Sequence, residues 1–169
     1  MFRFGKLLII IGMCLLTSCS FEQQEAPIFT GDITAPIQTI DSMQARVDVV
    51  ADQVEELYNQ DFAYLVNAYM ELDSTVARKK DIHEEMDLLQ AYLQQYETQR
   101  LVLKEKIQIS RKQLSALKDD ISNRLVTAEK QAKFIQDEEK EIRIMEHRIV
   151  YFQDRFDIQK EIVQKLKNK

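Results

Sequence analysis

The chain has 169 residues, 30% of them charged, with 28 acidic against 23 basic side chains, three glycines, two prolines, two cysteines and no tryptophan. The acid excess excludes the basic stripe that phosphate binding needs, so nucleic acid is not an expected partner, and it does not favour an anionic lipid surface. All the glycines and prolines lie at or before Pro36, so the long body that follows has no glycine-rich loop with which to cradle a phosphate.

The first element is a leader. Arg3 and Lys6 form a basic head, Leu7 to Leu16 is apolar, and the small residues Thr17 and Ser18 precede Cys19. This is the three-part layout of a secretory signal. The apolar run is much shorter than the roughly 20 residues a membrane-spanning helix needs. Leu16-Thr17-Ser18-Cys19 resembles the lipobox of bacterial lipoproteins. The resemblance implies a diacylglycerol on the Cys19 sulfur, cleavage between Ser18 and Cys19, and acylation of the new amino group. Two or more acyl chains hold a protein stably on a membrane, where one holds it marginally. In Gram-negative lipoproteins the residue after the cysteine influences sorting, and an aspartate there favours retention in the inner membrane. Ser20 therefore implies an outer-membrane, periplasm-facing lipoprotein. Glu22 and Glu25 are a thin version of the acidic residues that some groups use for surface display. Cys14 would leave with residues 1–18, so the mature chain would have no free thiol and no disulfide. Its net charge would be −7.

Residues 19–36 read as the lipidated cysteine and a flexible tether, with turn chemistry at Gly31, Asp32, Thr34 and Pro36. Residues 37–169 read as one helical domain. Pro36 lies in or just before a first helical turn, where proline is tolerated, and Asp41 is a second candidate cap. Ile40, Met43, Val47, Val50, Val54 and Leu57 alternate spacings of three and four. Tyr58, Phe62, Leu65, Tyr69, Leu72 and Val76 continue the pattern shifted by one. Ile82 to Ile121 keep one heptad register, interrupted at Arg100 and Ser110. Leu125, Ala128, Ala132, Ile135 and Ile142 follow a slip, and Met145 to Leu166 close the chain. A 3.5-residue seam of this length predicts an all-α fold of long coiled-coil helices.

One continuous helix would be roughly 200 Å long. Asp73 or Ser74 in "LDSTV" and the cluster Asp119, Asp120, Ser122 and Asn123 offer breaks. Leu88, Tyr92, Val102 and Ile109 flank the second seam, and Ile144, Val150, Tyr151, Ile158 and Ile162 the third. Such width suits helices with more than one neighbour. The expected architecture is an antiparallel three-helix bundle with helices near 38–72, 76–118 and 122–167. An extended oligomeric coiled coil and a single long hairpin remain alternatives, and homo-oligomerisation is open.

The body carries little chemistry. His83 and Asp87 share a helix face, but a zinc site needs three or four ligands, and His147 has no partner nearby in sequence. Both histidines read as solvated face. No cofactor, metal site or catalytic constellation is expected, and the chain reads as a non-enzyme. Tyr58, Phe62, Tyr64 and Tyr69 read as core with a half-exposed ring in preference to a partner-facing patch. The lysines of "KLKNK" suit the negative end of a helix dipole. That reading is preferred to a resemblance to the murein lipoprotein, whose terminal lysine is joined to peptidoglycan, as Lys169 would be here. The expected function is a lipid-anchored envelope scaffold, spacer or adaptor for a protein partner. The alternative is a periplasmic holdase chaperone, although a known chaperone of that style has a β-rich trimerising base and a basic charge that this chain lacks.

Overall fold

A computed structural model describes residues 31–76 and 82–168, without the side chains of 73–76. The chain is an all-α, up-down-up bundle of three rods. The first rod is α1 (Thr34–Leu57), a π-helical turn (Tyr58–Phe62) and α2 (Ala63–Val76) in unbroken succession; α3 (His83–Ser122) and α4 (Ala128–Lys167) follow. Each rod packs against the other two. At 1.5 Å per residue, α3 and α4, with 40 residues each, are roughly 60 Å long.

The first helix starts at Thr34, ahead of the expected start near residue 38. Asp32 accepts the Thr34 N–H at 2.9 Å, a bond that lowers its carboxyl pKa. Pro36 sits in the first turn, where a missing N–H breaks no helical bond. Asp41 is not a cap. It lies well inside α1 and pairs with Lys118. The one-residue shift of the apolar pattern after Leu57 coincides with the π turn. A π turn holds one more residue than an α turn, so it absorbs the shift and keeps both halves of the rod facing inward. Ile40, Met43, Val47, Val50, Val54 and Leu57 are buried before it, and Leu65, Ala68 and Leu72 after it. Ala68 takes the deep position expected for Tyr69, which is half-buried beside the core.

Both expected breaks fall late. Asp73 and Ser74 lie inside α2, which runs to Val76, and residues 118–122 are the last turns of α3. The α3–α4 turn occupies residues 123–127. Leu125 N–H donates to the Asp120 carbonyl and Arg124 N–H to that of Ile121, the paired bonds of a Schellman cap. Arg124 takes the left-handed position with φ 58°, which glycine usually fills. Thr127 then caps α4, its Oγ1 accepting the Lys130 N–H. This restart sets a new helical phase. Leu125, Ala128 and Ala132, expected on the seam, are exposed, and Gln131 and Glu138 occupy it instead.

Ion pairs fix the packing. Asp41–Lys118, Asp48–Arg111 and Glu55–Lys104 join α1 to α3. Arg46 forms a fork with Glu146, Nε to Oε1 and Nη2 to Oε2 both at 2.8 Å, and its Nη1 reaches Glu139 at 2.6 Å, joining α1 to α4. Lys106–Glu141 joins α3 to α4.

Glu138 is 6% exposed on the α4 seam. Its Oε2 has no hydrogen-bond partner among the described residues. Burial, the largest influence, outweighs a smaller opposing one from the Ser110 side chain of α3 and raises the Glu138 pKa above its ordinary value. The folded state therefore holds this proton more tightly than the unfolded chain. The charged form destabilises the bundle above the folded pKa, and the penalty is relieved as pH falls toward the unfolded value of about 4.3. Glu97 and Glu146 act in the opposite sense. Hydrogen bonds from Arg100 and Arg46 lower their pKa values, so their contributions are full above the unfolded value and are lost as pH falls through the lowered ones. Glu138→Leu leaves those two groups in place. It is expected to raise unfolding stability at pH 7 by about 1–2 kcal/mol, with the gain over the parent shrinking as pH falls toward about 4.5. Urea unfolding of both proteins across that pH range checks it. A gain that is constant with pH would mean that folding leaves the Glu138 pKa unshifted.

Candidate functional site

Ser18, Cys19, Ser20 and Lys169 lie outside the described residues. His83 is exposed in the first turn of α3, and His147 is exposed midway along α4, so the bundle does not bring them together. Among the described residues no group of three His, Cys, Asp or Glu side chains is placed to hold a metal ion. No described helix is long and apolar enough to cross a membrane.

The feature the bundle builds is a groove between α3 and α4. Its floor is an aromatic layer. Tyr96, 2% exposed, lies edge-on to Phe152 and Phe156 of α4, with centroids 4.8 and 4.5 Å away. Phe62, in the π turn, closes the layer from the first rod at 5.2 Å. Tyr58 stacks on Phe62, and the Arg100 guanidinium sits 4.1 Å over the Tyr58 ring. Arg100 thus interrupts the α3 seam where an aromatic face can receive its charge. Tyr92 meets Phe156 edge-on at 6.0 Å. Burial, with smaller contributions from neighbouring groups, pushes the Tyr92 phenol above its ordinary range, and its hydroxyl has no hydrogen-bond partner among the described residues.

Above this floor lies an open volume of about 500 Å³, walled by Tyr92, Gln95 and Gln99 on α3 and by Ile144, Arg148 and Tyr151 on α4, with His147 at the rim. None of the lining residues is a carboxylate. Arg148 makes no ion pair among the described residues, and Arg155 lies over the Tyr151 ring at 5.2 Å.

The wall residues belong to longer stripes. On α3, Leu88, Tyr92, Gln95, Gln99, Val102, Lys106 and Ile109 follow one another at spacings of three and four. On α4 the same spacing links Glu141, Ile144, Arg148, Tyr151, Arg155 and Ile158. These stripes contain most of the apolar residues that flank the second and third seams in sequence. Leu88 is 70% exposed, Tyr151 50% and Ile158 47%. The bundle forms, but it buries one narrow seam per helix and leaves this second stripe at the surface. The sequence showed these residues flanking the seams, and the bundle leaves most of them at the edges of this groove.

The other two grooves differ. That between α1 and α3 is lined by Asp52, Glu55, Lys104, Gln108 and Arg111 and carries the ion-pair ladder. That between α1 and α4 contains Val49 and Val150 but is bridged by Arg46 and Glu146. Comparison with protein-family models, curated proteins and solved structures finds no match to the chain.

Floor and wall should respond differently to substitution. Phe152→Ala removes a buried ring and is expected to cost about 3–5 kcal/mol. Leu88→Ser is expected to change stability by less than about 0.5 kcal/mol. Denaturant unfolding of both variants checks the assignment, and a large loss for Leu88→Ser would place that residue in the core.

Proposed function

We propose that this protein is a lipid-anchored scaffold, spacer or adaptor of the bacterial cell envelope, held by Cys19 and offering its helical bundle to a protein partner. The observation that carries the reading is the ordered run of basic head, apolar stretch, small residues and cysteine that ends at Leu16-Thr17-Ser18-Cys19. Ser20 favours the outer membrane, facing the periplasm.

The geometry is consistent with a spacer. Asp41 of α1 pairs with Lys118, close to the α3–α4 turn. The chain therefore leaves its tether at the turn end of the bundle, and the aromatic layer lies toward the far end. Between Thr34 and Phe62 the first rod rises roughly 40 Å at 1.5 Å per residue. Residues 19–33 span at most roughly 50 Å when fully extended. An anchor at Cys19 would thus hold the groove tens of ångströms from its membrane. The exposed apolar stripes favour a second reading, a holdase that clasps unfolded clients, although the acid excess is unlike the basic charge of a known chaperone of that style.

Cys19→Ser is expected to abolish incorporation of a radioactive fatty acid and to shift the protein from the membrane to the soluble fraction. Unchanged labelling would end the lipoprotein reading. In a host with the usual Gram-negative sorting, Ser20→Asp should move the protein toward the inner membrane, as read by density fractionation.

A further inference from the structure

We infer that the α3–α4 groove is a docking site for one amphipathic helix of a partner protein, with apolar residues facing the groove and carboxylates along its flanks. The inference deepens the adaptor reading above and rests on it. Short of the Lys106–Glu141 bridge, the stripe from Leu88 to Val102 runs roughly 20 Å along α3 at 1.5 Å per residue, the length of a helix of about two heptads. Ile158 faces the start of that run from α4, Tyr151 its middle and Ile144 its end, as the antiparallel contacts Tyr92–Phe156 and Lys106–Glu141 require. A helix laid between two helices meets apolar side chains from both, which is the helix-in-groove mode of recognition.

Charge selects the occupant. From Cys19 onward the chain is acidic, at −7. Yet the open stretch of this groove over the aromatic layer is lined without a carboxylate and carries Arg148, with Arg155 on Tyr151, while Glu141 farther along is paired with Lys106. A second copy docked about a two-fold axis would set these arginines against their own counterparts and bring two acidic bodies together. An acidic helix instead finds cations beside the apolar stripe, and complementary charge steers it into place.

The test uses the full-length chain in its host, with a photoreactive phenylalanine analogue at Gln99 in the groove or at Gln153 on the α1–α4 side. The expected result is one discrete heterologous adduct from Gln99 and none from Gln153. Sequencing of the crosslinked segment should show a heptad apolar pattern flanked by Asp or Glu. Arg148→Glu should reduce the adduct at least about tenfold, while circular dichroism and thermal unfolding stay unchanged because Arg148 supports no ion pair among the described residues. An adduct of twice the chain's own mass would overturn the proposal in favour of self-association. A broad spread of adducts would overturn it in favour of the holdase. A discrete adduct from Gln153 alone would sink the groove and leave the adaptor reading standing, whereas no adduct from either position would sink both. In a binding assay with detergent-solubilised full-length protein, a two-heptad peptide with leucine on its seam and glutamate on its flanks should bind at least about tenfold more tightly than its lysine-flanked counterpart. Equal binding would remove the charge argument.

Discussion

A ladder of opposite charges one heptad apart sets the register on which the bundle depends. Asp41, Asp48 and Glu55 on α1 meet Lys118, Arg111 and Lys104 on α3. Each step of seven forward on one helix is matched by a step of seven back on the other, an order that antiparallel helices satisfy. Apolar burial is non-directional, so the seam alone does not choose among registers a heptad apart. Each partly exposed pair contributes only about 0.2–1 kcal/mol. What the pairs decide together is alignment, since a slip of one heptad strands the outermost charges and pulls Tyr96 away from Phe62. The third rod follows the first in parallel. Arg46 reaches Glu146 and Tyr64 accepts a hydrogen bond from Gln164, both across 100 residues of sequence.

The bundle is built differently at its two ends. Toward the far end, rings from all three rods interlock at centroid distances of 4.5 to 5.2 Å, and the π turn exists at the height where Phe62 joins them. Toward the α3–α4 turn polar residues enter the seam, Gln131 and Glu138 on α4 and Ser110 on α3, beside the buried Ile40, Met43, Leu114, Leu117 and Ile121. Gln131 and Glu138 each keep a buried oxygen without a hydrogen bond among the described residues. An unpaired buried polar group favours the arrangement that leaves it least desolvated. The polar layer therefore weakens the turn end and penalises alternatives that would seal it more deeply. The aromatic end supplies the tight packing.

The surface stripe follows from the same economy of contacts. Each helix of a three-rod bundle turns one face inward, and a narrow seam is enough to fill that space. Apolar residues one position off the seam on α3 and α4 are then raised onto the edges of the groove between them. Ion pairs bridge the grooves beside α1. Lys106–Glu141 bridges the α3–α4 groove near the turn end, while the stretch over the aromatic floor stays open.

Much of the fold was legible from spacing alone. The heptad seam determined that the chain is helical and which residues of α1 and α3 are buried, because a 3.5-residue period is local and survives any tertiary arrangement. The phase shift after Leu57 was legible as a shift, but its resolution as a π turn was not. An extra residue can be absorbed by a bulge or by a break, and only the rods on either side decide which. Turn positions were misplaced because Asp and Ser inside a helix and at its cap look alike in sequence. The α3–α4 turn uses Arg124 where glycine was the signal to look for. That late restart gave α4 a phase that carried Glu138 into the core and Leu125 out of it. The ion-pair ladder was written in the heptad spacing of its charges, but choosing partners required knowing that α3 runs back along α1. The flanking apolar residues were visible as a second stripe. Whether they face a neighbour or solvent depends on the angle between helices, a tertiary quantity, so the groove emerged only when α3 and α4 were set side by side. The proposed address at Leu16-Thr17-Ser18-Cys19 is the reverse case. It would be a linear signal, read from residues in order, and independent of the fold that follows it.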